Sequence, residues 1–169
     1  AYRGVGDVPP LGIRMMASLE LALSSGELRL TSRNSDEQPF LDYHYFEEEE
    51  DLRRMREAVR QCVSLGDHEQ FHDIIESRLE PTDEELSSDD NLNTYMTREV
   101  TTGQHISGTC KMGPDTDDMA VVNQFGKVRG LQNLRIVDAS IMPDCIRANT
   151  NVTTMMIAER VSDFIKDGK

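Results

Sequence analysis

Two residues late in the chain have side-chain chemistry suited to a bound molecule, one able to take a proton and the other able only to hydrogen-bond. His105 stands in the run Gln-His-Ile-Ser-Gly-Thr-Cys, residues 104–110. Imidazole titrates near neutrality, with an unperturbed pKa of about 6.5, so it can take a proton from a hydroxyl group at working pH. A loop histidine that only donates to a backbone carbonyl is the other reading of the same residue. Asn149 opens the run Asn149-Thr150-Asn151-Val152. Its amide can hydrogen-bond to an oxygen but cannot titrate. Asparagine is also a favoured helix N-cap, and the two uses are compatible. A helix starting there presents free backbone N–H groups and partial positive charge at its end. Asp138-Ala139 follows the apolar residues 134–137, where an aspartate either faces a ligand or forms a turn. Gly108 and Thr109 shape the loop that carries His105, glycine allowing close backbone approach.

Other polar clusters read more plainly. His68 and His72 have the i, i+4 spacing of metal ligands on a helix, but no third ligand stands near them in the sequence. Asp115, Asp117 and Asp118 lack the glycine and terminal glutamate of a calcium loop and read as solvated loop acids. No metal site is expected. His44, in a tyrosine-rich segment, is structural or lines a substrate cavity.

The residues with chemistry lie in a fixed order between Gln104 and Arg160: QHISGTCKMG, then VVNQFGKVRGLQNLRIVDASIMP, then RANTNVTTMMIAER. A histidine before a Gly-Thr turn, a strand ending in Asp-Ala-Ser, and an Asn-Thr-Asn entering a helix resemble the C-terminal signature of the glucose-methanol-choline (GMC) family. These are FAD-dependent alcohol oxidoreductases, and the likeness is greatest to their choline dehydrogenase-like branch. The resemblance implies that His105 and Asn149 are the catalytic pair, Asn149 matching the asparagine of the choline-oxidising members. It implies that Asp138 and Ala139 approach the ribityl and pyrophosphate part of FAD. It also implies that Asn149, Thr150, Asn151 and Val152 bring a helix N-terminus to the flavin edge, stabilising the anionic reduced ring. The glycosylation sequon Asn151-Val152-Thr153 would then be buried at the flavin and is discounted.

These residues need elements to position them. Residues 1–24 begin with a Gly/Pro-containing loop and continue into an apolar-rich stretch. Residues 27–32 alternate polar and apolar, as a half-buried strand does, and residues 39–46 read as a second extended segment. Residues 47–65 form a helix with Leu52, Met55, Val59, Cys62 and Val63 on one side and acidic residues in the first turn. A shorter helix is expected over residues 67–78. Another helical region starts at Thr82, is interrupted over residues 87–91, and resumes with Leu92, Tyr95, Met96 and Val100. Short strands are expected at 105–112, 120–123, 127–128 and 134–137. A last helix spans about 150–166, with Val152, Met155, Met156, Val161, Phe164 and Ile165 on its buried side.

The fold class expected is therefore α+β. The resemblance implies that residues 1–100, a substrate-domain antiparallel sheet with helices, are the second half of a substrate-binding domain. It implies that residues 101–169 carry the active-site loop and the C-terminal strands and helix that complete an FAD-binding α/β domain. The Gly-x-Gly-x-x-Gly fingerprint that cradles a dinucleotide is absent from these 169 residues. The chain is thus expected to be the C-terminal part of a longer polypeptide, or the product of a cleavage or a split gene. Its partners would be a small-molecule alcohol and an N-terminal FAD-binding region. A lyase with non-redox FAD, or a non-catalytic remnant acting in binding or assembly, are the alternatives.

Composition narrows the classes. The formal charge of −13, from 31 acidic and 18 basic residues, repels nucleic acid and anionic membranes. No stretch approaches the ~18 apolar residues of a membrane span. The three cysteines, Cys62, Cys110 and Cys145, lack Cys-x-x-Cys spacing and point to a reducing, cytoplasmic compartment.

Overall fold

A computed structural model describes residues 12–169. The chain divides into two compact units, Ala1–Thr101 and Thr102–Lys169, each considered by itself.

Among the described residues, the first unit holds a β-hairpin and three α-helices. Strand β1 (Glu27–Arg29) pairs antiparallel with β2 (Phe40–Asp42), Leu28 opposite Leu41. Gly26 is required at its base: a Cβ there would lie 2.1 Å from the carbonyl oxygen of Asp42. Both strands are shorter than the alternation predicts, because side chains capture the backbone at each end. Ser32 Oγ accepts from the Asn34 N–H, and Asn34 Oδ1 accepts from the Asp36 N–H. Asp42 Oδ1 accepts from the His44 N–H, and the chain then passes through left-handed His44 and Phe46. The strand expected to be half-buried is exposed along its length, since only its partner strand covers it.

Helix α1 (Glu49–Gly66) realises the predicted apolar periodicity, but its first turn is not simply a solvated acidic face. Asp51 is 1% exposed. Its carboxylate accepts from the N–H of Leu23 at 3.0 Å and from the N–H and Oγ of Ser24, both at 2.7 Å. Arg54, one turn on, donates to the carbonyls of Leu21 at 2.9 Å and Glu20 at 2.6 Å. Two oppositely charged residues thus bind the irregular segment 20–24 to the helix by satisfying its backbone.

The helix expected over residues 67–78 is a single 3₁₀ turn, Glu69–Phe71. His68 Nδ1 accepts from the Gln70 N–H as its cap, while Ile74 is exposed. With Ile74 exposed and Phe71 and Ile75 only half-buried, packing does not offset the cost of helix nucleation. Helix α2 (Asp83–Leu86) begins in a capping box between Thr82 and Glu85. Ser88 caps α3 (Asp89–Glu99), so the interruption read from the sequence is the seam between two helices. Leu92 and Met96 of α3 are buried, and Arg56 of α1 donates to Asn93 Oδ1 of α3 at 2.9 Å.

The second unit is irregular chain closed by one long helix. The expected strands are reduced to isolated pairings: Met112 with Val122, Val122 with Val128, and Lys127 with Arg135. Turns arrive so often here that each pairing ends before a ladder extends. Ala120, Val122, Ile141 and Met142 are buried together with Val161 of α4 (Thr150–Lys166). Phe164 of α4 meets Phe125 edge to face at 5.1 Å. The apolar side expected of this helix is only half buried. Val152, Met155, Met156 and Ile165 are exposed. At 3.6 residues per turn, Val152, Met155 and Met156 share a stripe opposite Val161. Among the described residues, no helix is long and apolar enough to cross a membrane, and all three cysteines are free.

Candidate active site

The loop carrying His105 is held by backbone pairing to the turn that carries Asp138 and Ala139. The N–H groups of Gly108, Cys110 and Met112 donate to the carbonyls of Ala139, Ser140 and Ile141, at 3.4, 2.9 and 2.8 Å. Gly108 makes this possible at φ +82°, where an L side chain would be strained. At the loop's entry Gln104 is also left-handed, φ 62°, its N–H donating to Thr102 Oγ1. A non-glycine residue in that region costs on the order of 1–3 kcal/mol and persists only where its surroundings impose it. The strain falls on the residue immediately before the imidazole.

His105 is half-buried, and its Nδ1 lies 3.1 Å from Oγ1 of Thr150, the first residue of α4. Nε2 has no partner among the described residues. The base candidate is therefore tied by one ring nitrogen to a helix N-terminus, and the other is uncommitted among the described residues. Thr150 is 9% exposed, whereas Asn149, Asn151 and Val152 are exposed. Asn149 makes no side-chain cap bond, so its amide is uncommitted and the plain capping role open to asparagine is not used. The N–H groups of Thr150, Asn151 and Val152 precede the first intrahelical bond and are free donors at the positive end of the helix.

Asp138 is exposed, and its Oδ1 accepts from the Ser140 N–H at 2.8 Å, capping the 3₁₀ turn Ala139–Ile141. The turn-forming role is what the geometry displays for this carboxylate. Beyond Met112, Lys111 Nζ meets Asp117 Oδ2 at 2.8 Å, and this lysine, with the Met119 N–H, holds the Asp117 carboxyl below its ordinary value. Asp115 pairs with Arg129, so two of the three loop acids are neutralised by basic neighbours. A cavity of about 410 Å³ lies beside them, lined by Gly113, Asp115, Asn123 and Arg129 among others. Neither His105 nor any residue of α4 lines it. His68 and His72 are bonded to backbone groups, and no group of three potential metal ligands occurs among the described residues.

The constellation is a half-buried imidazole, a free amide and a helix N-terminus, arranged in the order the sequence signature sets out. The family model described as GMC oxidoreductase matches residues 22–158. The chain belongs to the GMC oxidoreductase family. Oxygen-dependent choline dehydrogenase of Escherichia coli is 35% identical over 165 residues, which is 98% of this chain and 29% of that protein. Pyridoxine 4-oxidase from Mesorbium loti superposes with a TM-score of 0.74 at 28% identity, over 82% of this chain and 26% of the other. A formate oxidase superposes with a TM-score of 0.77 at 29% identity, over 85% and 25%. A further formate oxidase structure, from Aspergillus oryzae, concerns FAD modification and gives a TM-score of 0.76 at 28% identity, over 85% and 25%. The chain thus spans under a third of the length of the curated relatives it matches.

In the sequence, His105 and Asn149 stand out as candidates through their motif. The bond between His105 and Thr150 does not, because a contact across that much chain leaves no local pattern. Nor does Asp51, whose place in an acidic run concealed that it is the buried one.

Proposed function

We propose that this chain is the C-terminal part of an FAD-dependent oxidoreductase that oxidises a small alcohol, with His105 removing the hydroxyl proton. Residues 1–100 are assigned to the second half of the substrate-binding domain and 101–169 to the active-site loop and the return into the FAD-binding domain. The observation that carries the reading is the imidazole fixed through Nδ1 at 3.1 Å to Thr150, with Nε2 left free beside the start of α4.

The donor set fits a flavin. Free N–H groups at a helix N-terminus suit an electron-rich ring edge that gains negative charge on reduction, an effect worth roughly 0.3–1 kcal/mol when exposed and up to about 2 when partly buried. Asn149 through Val152 would hold that edge, with Asp138 and Ala139 nearer the ribityl and pyrophosphate part. Bound FAD supplies the acceptor for the hydride. His105 Nε2 takes the hydroxyl proton as the carbon–hydrogen bond breaks, and the Asn149 amide holds the substrate oxygen. The dinucleotide fingerprint is supplied by polypeptide outside these 169 residues, consistent with the length of the relatives. The free cysteines favour a reducing, cytoplasmic compartment.

The test is anaerobic mixing of the FAD-loaded polypeptide containing this chain with a panel of primary alcohols, choline included. Bleaching of the flavin by one of them is the expected result. Tight FAD without bleaching by any alcohol, accompanied by carbon–carbon cleavage, would replace this reading with the lyase. A polypeptide that retains no FAD would leave only the binding or assembly role.

A further inference from the structure

Resting on that reading, we infer that Thr150 is a positioning residue for the base. Its hydroxyl accepts a hydrogen bond from Nδ1–H of His105 and so keeps the lone pair on Nε2. Thr150 is nine-tenths buried, and the only partner of its Oγ1 among the described residues is the imidazole, at 3.1 Å. The hydroxyl is not needed to start the helix. The capping position belongs to Asn149, and the contact of Thr150 with the next turn uses its backbone carbonyl, which accepts from Thr154 Oγ1 at 2.9 Å. A β-branched side chain in the first turn of a helix has few χ1 rotamers, so the hydroxyl is a stiff mount.

The direction of the bond decides whether His105 can act. If Oγ1–H donated to Nδ1, Nε2 would carry the proton and have no lone pair for a substrate. If Nδ1–H donates to Oγ1, Nε2 is the base. When it takes the substrate's proton, the alcohol O–H bond breaks, an Nε2–H bond forms, and the electron pair stays on oxygen. The ring then bears a proton on each nitrogen, and Nδ1–H still donates to Oγ1. In this arrangement the hydroxyl accepts before and after transfer, and nothing in the mount has to turn. A partner that fixes the tautomer through the distant nitrogen is a general device for orienting histidine.

The experiment uses the FAD-loaded polypeptide with ¹⁵N-labelled histidine, the His105 signals being assigned by comparison with His105→Gln. Nitrogen shifts at a pH where the ring is neutral report which nitrogen is protonated. The wild type is expected to show Nδ1–H. Thr150→Val, which keeps the shape and removes the hydroxyl, is expected to lose that preference. It should also slow anaerobic flavin reduction by alcohol roughly 3- to 10-fold, the worth of one hydrogen bond, and shift the pH profile of that step. Thr150→Ser should restore both tautomer and rate. A wild-type Nε2–H tautomer overturns the inference, and this result stands even if the valine variant fails to hold FAD. An unchanged tautomer, rate and pH profile in a folded Thr150→Val overturns it equally. If the tautomer follows Thr150 while His105→Gln reduces its flavin at the wild-type rate, the hydrogen bond stands but the base reading falls, and the positioning role with it.

Discussion

At the scale of single residues, the proposed site separates two functions that one side chain often combines. His105 would receive the proton, and Asn149, whose amide is neither acid nor base, would hold the substrate oxygen. The sequence made both visible, since residue type limits what each can do. It left open whether Asn149 was merely a cap, and the side chain makes no cap bond. Asn149→Ala is therefore expected to cost little stability, well short of the ~0.5–2 kcal/mol of a lost cap. It should slow flavin reduction and make the flavin's two-electron potential more negative. Asn149→His should keep more activity than the alanine variant, with a changed pH profile as a second titrating group enters the site. Thermal melts, a redox titration and anaerobic reduction across pH check the set. Unchanged rate, profile and potential in both variants would remove Asn149 from the site.

At the scale of elements, helices were legible where an apolar stripe was sustained and illegible where it was short. Residues 150–166 match α4 to the residue. Their burial was misjudged, because periodicity marks apolar stripes without saying which stripe this unit covers. The failed helix over residues 67–78 carried Phe71, Ile74 and Ile75 at helical spacing but has little to pack them against. The strands failed for a different reason: local side-chain bonds at Ser32, Asn34 and Asp42 compete with the ladder. One tie between elements is Asp51, which holds Leu23 and Ser24 to α1. Burial pushes its carboxyl pKa up, but hydrogen bonds from the N–H groups of Leu23 and Ser24 and the hydroxyl of Ser24, together with Arg54, outweigh that and hold it below the ordinary aspartate value. A carboxyl with a depressed folded pKa contributes stability that is present above its unfolded value. That stability is lost as pH falls through the folded one. The first unit should therefore weaken below about pH 4 partly through this group. Asp51→Ala should destabilise it by about 2–3 kcal/mol at neutral pH, leaving buried donors unpaired. The deficit relative to wild type should shrink on acidification, as urea melts at several pH values would show. A deficit independent of pH would mean that packing, not the ionised carboxylate, holds segment 20–24. Leu92→Ala, in the interior of the same unit, should cost about 2–5 kcal/mol at every pH and serves as the contrast.

At the scale of the whole molecule, the chain covers under a third of the length of its choline dehydrogenase relatives. Some apolar side chains are left exposed, among them Val152, Met155 and Met156 on α4 and Leu28, Leu30 and Leu41 at the hairpin. Nothing in its 169 residues supplies a glycine-rich turn for a pyrophosphate. Expressed alone it should be colourless, and stoichiometric FAD retained through gel filtration would contradict that expectation. Family membership was legible in the sequence because its signature concentrates in one stretch. Substrate identity was not, since a pocket is assembled from distant parts of a chain. In the proposed function the proton leaves through His105. The most direct test of this is the rate of anaerobic, single-turnover flavin reduction by alcohol in the FAD-loaded polypeptide, wild type against His105→Ala. A fall of about 10²–10⁴-fold with FAD still bound is the predicted result, and a variant reduced at nearly the wild-type rate would contradict the account.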